Sequence, residues 1–238
     1  MGRIHRYRTA WRRHRRSKGF GIHSPFAFNF VLNVLRERLP YYNYAYLHQL
    51  RQAIVGSLST FSRHPRVMSY KNAKMLFRIA NFFQPRHILQ IGTCYGYSAA
   101  SVLSVSRSSR LSLYEPQLDR FPVVGQVLQP FLDDVQCYNS LDVAVGEYNE
   151  ALADGSPFVV VGHLPESDRY DDILNLLLDV MRRHGTFVLR NISRDKLMKQ
   201  LWLDCQQRMP YGHSYSNEKL AVFVAQPHLP KQHFLLWF

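Results

Sequence analysis

The sequence has no uninterrupted apolar run of the roughly 18 residues that a helix needs to cross a bilayer, so a helical membrane span is not expected. Cysteine is scarce. Cys94, Cys137 and Cys205 are odd in number and far apart, with no Cys-x-x-Cys pair and no Cys/His cluster. Neither a disulfide framework nor a zinc knuckle is supported, and a reducing cytoplasm is the simplest setting. Acid is absent from the start of the chain, where Glu37 is the first carboxylate. A secretory leader is not expected either: the nearest apolar stretch, Phe26 to Leu35, is broken by Asn29 and Asn33 and runs into Arg36, Glu37 and Arg38. An organellar transit peptide would match the arginines but would also be rich in serine, which this segment is not.

What is present is a chain of 238 residues, 46% apolar and 13% aromatic. That is enough for one substantial core, or a core with a small extra lobe, and too apolar for a disordered chain. The net charge of +13 is unevenly spread. Residues 1–20 hold eight cations (Arg3, Arg6, Arg8, Arg12, Arg13, Arg15, Arg16, Lys18) and no acid, whereas the other 218 residues carry 22 cations and 17 anions, only +5. The basicity therefore belongs to an arm. It reads either as a solvated, partly disordered tail or as a segment that contacts the phosphates of nucleic acid or of an anionic surface.

Three regions follow from the patterning: the arm over 1–20, a helical extension over 21–69, and a larger domain over 70–238. Ser24-Pro25 predicts a helix start, with serine as cap and proline in the first turn, and Phe26, Phe30, Val31, Val34 and Leu35 recur at helical spacing up to Leu39-Pro40. A second amphipathic helix is expected over Tyr44 to Leu58. The tyrosines around its start (Tyr41, Tyr42, Tyr44, Tyr46) either pack a small lobe or offer a stacking surface, and packing is the commoner use of such density. Beyond a helix over Asn72–Phe83, short apolar runs alternate with helical segments. Strands are expected at 88–91, 111–114, 135–138, 158–161 and 186–189, with helices over 97–105, 142–152, 169–183 and 194–207. Strands separated by helices imply crossover units and a parallel sheet. Residues 117–132 make a poor helix because Pro122 and Gly125 interrupt them. Residues 212–216 and 220–225 flank Asn217-Glu218-Lys219 and predict an antiparallel hairpin. The apolar terminus Phe234-Leu235-Leu236-Trp237-Phe238 covers either the chain's own core or a partner subunit, the first being the default at the end of a sheet.

The most informative stretch runs from His87 to Ala100. An apolar strand enters Gly92, turns through Thr93, Cys94 and Tyr95, and leaves Gly96 into a helix that begins Tyr97-Ser98. Glycine at 92 permits a backbone that a side chain would forbid, and glycine at 96 is expected to let the turn press close to a ligand. In an open parallel sheet, ligands lie beyond the carboxyl ends of the strands beside this turn. The next strand ends in Glu115, 23 positions after Gly92, where a carboxylate can accept both hydroxyls of an adenosine ribose. A nicotinamide dinucleotide would use a similar acid, but the Gly92-to-Gly96 spacing and the terminal hairpin argue against it.

The stretch from Ile88 to Ala100 resembles the first motif of class I S-adenosylmethionine-dependent methyltransferases, and its Cys-Tyr-Gly-Tyr-Ser core (94–98) is especially similar to the catechol O-methyltransferase branch. A wider resemblance covers nearly the whole chain. Gly21-Ile22-His23-Ser24-Pro25-Phe26, Ala73-Lys74-Met75-Leu76-Phe77-Arg78, Phe83-Gln84-Pro85 and Lys231-Gln232-His233-Phe234 are similar to the landmarks of a group of bacterial methyltransferase-like proteins. The resemblance implies a Rossmann-like class I methyltransferase domain, mostly parallel with an antiparallel C-terminal hairpin, preceded by a helical extension. It implies S-adenosylmethionine as cofactor, with Gly92, Thr93, Cys94, Tyr95, Gly96, Tyr97 and Ser98 around its methionine portion, Glu115 on its ribose, and Ser140 near its adenine.

Departures from the pattern carry chemistry too. The acid two positions before the first glycine is Gln90 here, which still hydrogen-bonds but brings no charge to the ligand's ammonium. Val161-Gly162-His163 stands where Asp-Gly-His is usual, so no Asp ends the fourth strand, and Arg190-Asn191 replaces Asp-Asn after the fifth. Hard divalent cations need oxygen ligands, so no metal site and a metal-independent transfer are expected. His163 and Glu166 are the candidates for an acceptor-side base. A catalytically silent binding protein that uses the basic arm is the second reading of the same departures.

Overall fold

The computed structural model describes residues 11, 13–15, 17–59, 67–93, 95–117, 123–153 and 155–238. In chain order the helices are α1 (Pro25–Phe30), α2 (Asn43–Leu58), α3 (Tyr70–Phe83), α4 (Tyr97–Leu103), α5 (Val123–Leu128), α6 (Leu141–Leu152), α7 (Tyr170–Arg182) and α8 (Lys196–Arg208). The strands are β1 (His87–Ile91), β2 (Arg110–Tyr114), β3 (Val135–Tyr138), β4 (Phe158–Val161), β5 (Thr186–Arg190), β6 (His213–Ser216), β7 (Leu220–Val224) and β8 (Gln232–Leu235). Two compact units emerge, Leu39–Asp168 and a second formed by Met1–Arg38 with Arg169–Phe238. The division falls at Leu39 and Arg169, whereas the hydropathy pattern suggested boundaries near 21 and 70. The eight strands are sheet strands throughout, mostly parallel, with antiparallel pairing reserved for the C-terminal part of the chain, as expected.

In the Leu39–Asp168 unit the strand order is β3-β2-β1-β4, with β1–β2, β1–β4 and β2–β3 all paired parallel. Register aligns the strand ends: Ile91 lies beside Tyr114 and Val161, and Tyr114 beside Tyr138. The ladder then continues one residue further, since Gly92 N–H donates to Tyr114 O at 3.0 Å, Glu115 N–H to Tyr138 O at 3.1 Å and Gly162 N–H to Ile91 O at 2.8 Å. Four strand ends therefore finish at one level, and the chain reverses its order of addition between β1 and β4. Such a switch is where open sheets bind ligands.

α3 begins at Ser69, whose hydroxyl accepts from Asn72 N–H, and ends at Gln84 in a left-handed conformation, φ 47°. Its apolar face meets α2 and α4 around Leu47, Ile54, Phe77, Tyr97 and Val127. The tyrosine-rich stretch is spent on packing: Tyr41 and Tyr44 stand 5.3 and 5.7 Å from the Phe77 ring, while Tyr42 is fully exposed. The segment weakened by Pro122 and Gly125 yields only α5 and a following 3-10 stretch, Gln129–Asp134, with residues 118–122 outside the described ones.

In the other unit, Ser24 accepts from Ala27 N–H and Pro25 occupies the first turn of α1, which widens into a π turn over Val31–Leu35. The strands run β5-β7-β6-β8, and the β6–β7 hairpin turns on Asn217, whose Oδ1 accepts from the Lys219 and Leu220 amides. β8, unforeseen in the sequence, pairs parallel to β6. Ring stacking fills the interior, with Phe187 on Phe223 at 4.5 Å and Tyr215 on Phe234 at 5.2 Å. Of the apolar terminus, Leu236 is fully buried within this unit and Trp237 stays exposed.

Candidate functional site

The site is assembled at the aligned ends of β1, β2, β3 and β4. Gly92 leaves β1 with φ +69°, and a Cβ there would come within 2.4 Å of His163 Nδ1 and 2.7 Å of the His163 carbonyl. Glycine is thus demanded twice, by backbone angle and by the close approach of the segment after β4. Gly96 also has a positive φ, +73°, but the space a Cβ would fill belongs to Val127 of α5 at 3.0 Å. On its Cβ side this second glycine faces α5.

Glu115 is the centre of the arrangement. Its side chain is almost fully buried, and Oε2 accepts from Thr93 N–H at 3.1 Å. His163 Nε2 stands 3.4 Å from the same oxygen, an ion pair when the imidazole is protonated. One carboxylate thus links the turn after β1 to the loop after β4. A carboxylate has about four lone-pair positions, so acceptor capacity is left over on Oε1.

Beneath the turn, Gln90 is fully buried in β1. Its Nε2 donates to Ser98 Oγ at 2.8 Å and to Gly92 O at 3.3 Å, tying strand, turn and α4 together. Gln90 Oε1 and Thr93 Oγ1 are buried polar atoms with no hydrogen-bond partner among the described residues. A buried acceptor left bare costs about 1–3 kcal/mol, so two beside one turn suit a polar ligand that supplies donors.

The remaining candidates separate. Tyr95 is half-buried against the α2–α3 cluster, and the Tyr97 side chain is a core residue whose hydroxyl donates to Leu47 O at 2.8 Å. Burial raises the Tyr97 phenol above its ordinary range. Cys94 lies outside the described residues. Ser140 is half-buried and forms the N-terminal cap position of α6, without a side-chain capping bond. Gly162 sits in the ladder beside β1. Glu166 accepts from the buried Tyr114 hydroxyl, so it is held in place and is no freely solvated loop acid. Sequence reasoning missed Tyr114, because its partner lies 52 positions away and no local pattern couples them. Arg190 and Asn191 belong to the other unit, Asn191 with φ +59°. Among the described residues, no three His, Cys, Asp or Glu side chains gather as a metal site would require.

Comparisons with solved structures find the same fold in several methyltransferases. The chain is similar to an O-methyltransferase from Bacillus cereus in complex with S-adenosylhomocysteine, at TM-score 0.56 and 14% identity, over 81% of this chain and 96% of that one. It is similar to a methyltransferase from Podospora anserina bound to S-adenosylhomocysteine, at TM-score 0.54 and 13% identity, over 79% and 98%. It is also similar to an O-methyltransferase from Streptomyces achromogenes involved in tomaymycin synthesis, in complex with S-adenosylmethionine, at TM-score 0.51 and 15% identity, over 79% and 92%. No protein-family model matches the chain, and no curated protein sequence matches it. The fold is the class I methyltransferase fold.

Proposed function

We propose that this protein is an S-adenosylmethionine-dependent methyltransferase that works without a metal ion. The carrying observation is Glu115: a buried carboxylate at the end of β2, bonded to the Thr93 amide of the turn after β1, with acceptor capacity to spare. That oxygen suits the hydroxyls of a ribose. Gln90 Oε1 and Thr93 Oγ1, bare and buried, suit the donors of an amino-acid end. The structural neighbours, crystallised with S-adenosylmethionine or S-adenosylhomocysteine, support the same ligand.

When bound, the sulfonium supplies an already activated methyl group, and a single displacement needs alignment more than chemistry from the protein. Glu115, Gln90 and the turn at 92–93 hold and orient the cofactor. His163 closes over Glu115 from the β4 side, and Glu166, anchored by Tyr114, serves as an acceptor-side base. Metal independence is supported by the donor set. β4 ends in Val161 and is followed by Gly162 and His163, so the strand end offers no carboxylate to a hard cation.

Calorimetry tests the reading. S-adenosylhomocysteine should bind and nicotinamide dinucleotides should not; absence of binding at millimolar ligand overturns it. Glu115→Ala should weaken binding by about 1.5–3 kcal/mol, the worth of a hydrogen bond to a charged group, and an unchanged affinity would remove the ribose assignment. Transfer of labelled methyl into a cell extract should persist in EDTA, and its loss there would overturn metal independence.

A further inference from the structure

The basic arm does not stop at charge. Residues 11, 13–15 and 17 have helical backbone, and this segment is fixed to the C-terminal part of its own unit. Arg13 donates to the Asn217 and Leu236 carbonyls and pairs with Glu218 at 3.0 Å, while Ser17 Oγ accepts from Trp237 N–H at 2.6 Å. Anchoring on that side leaves large aromatic side chains outside. Trp11 is 61%, Phe20 57%, Phe28 45% and Trp237 55% exposed.

They form one continuous surface. The Arg15 guanidinium lies 4.8 Å from the Trp11 ring and 5.2 Å from the Phe20 ring. Phe28 packs on the Gly19 backbone, where a Cβ would meet its ring at 2.5 Å, and Trp237 meets His14 edge-on at 6.1 Å. Lys18 is exposed among them. Exposed aromatics rimmed by polar residues mark an interaction site, and the chain before Glu37 carries no acid.

We propose that this face docks on an anionic phospholipid bilayer. The charge excludes a second copy of the same face, since cations would meet cations. It calls for an anionic partner, and the rings decide which. A nucleic-acid platform needs open ring faces for bases, but Arg15 already takes a face from both Trp11 and Phe20. Tryptophan and phenylalanine standing out beside arginine and lysine instead match the headgroup level of a membrane, where rings enter the acyl boundary and cations meet phosphates. The surface belongs to the unit that does not carry β1 and β2, and the proposal does not depend on the ligand proposed for those strands.

The full-length chain carrying Trp202→Phe retains only the indoles at 11 and 237. With vesicles of phosphatidylcholine and phosphatidylglycerol, its fluorescence should shift to the blue and be quenched by brominated acyl chains, with no effect from pure phosphatidylcholine. Combined Trp11→Ala, Phe20→Ala and Trp237→Ala should cut vesicle sedimentation about tenfold or more, with an unchanged circular dichroism spectrum. Should that variant fail to fold, Arg15→Glu with Lys18→Glu should give a comparable loss, because both side chains are exposed. Unquenched fluorescence, sedimentation that survives these changes, or displacement of the protein from vesicles by a single-stranded oligonucleotide would each overturn the proposal.

Discussion

His213 is fully buried in β6, with Nδ1 3.0 Å from the Tyr215 hydroxyl and Nε2 buried without a partner among the described residues. Burial, with a smaller push from His228, holds its pKa down at about 4. An unfolded chain binds a proton on this residue near pH 6.5 and the folded one does not, so stability is full above 6.5 and falls as the pH drops towards 4. The loss should approach about 3 kcal/mol in urea denaturation, and His213→Gln should remove most of this acid sensitivity. At the site, Gly92→Ala must fit a Cβ 2.4 Å from His163 Nδ1 at φ +69°. It should cost about 1–3 kcal/mol of stability and abolish cofactor binding in calorimetry, whereas Gly125→Ala, with open space around it, should leave binding unchanged.

Helix and strand positions were largely legible because apolar spacing is a local signal. β3 and β4 match their expected spans, and β1, β2 and β5 gain one residue each, His87, Arg110 and Arg190. Helix ends depended on caps. The helix expected from Arg194 begins at Lys196, because the Asp195 carboxylate accepts from the Leu197 and Met198 amides. Asp195→Ala should cost α8 about 1 kcal/mol, readable as a lower denaturation midpoint with an unchanged slope. β8 was illegible for the opposite reason. Gln232 and His233 are exposed, so the segment shows little patterning, and it is a strand because β6 lies alongside it.

On the scale of the whole molecule, the last residues are structural. Leu236 is fully buried, Phe238 nearly so, and Leu236 O receives Arg13. Truncation after Leu235 should destabilise the unit by at least about 2 kcal/mol in urea denaturation, the cost of emptying a well-packed apolar position.

By itself the amino-acid order determined the alternation of strands and helices, the glycine turn after β1 and the acid ending β2, since each is written within a few neighbouring residues. Tertiary structure alone decided what those groups meet. Glu115 finds the Thr93 amide and His163, Gly96 turns towards Val127, Glu166 is caught by Tyr114, and Trp237 comes to lie against His14. Such partners are distant along the chain, and only the register of the sheet and the packing of side chains bring them within bonding range.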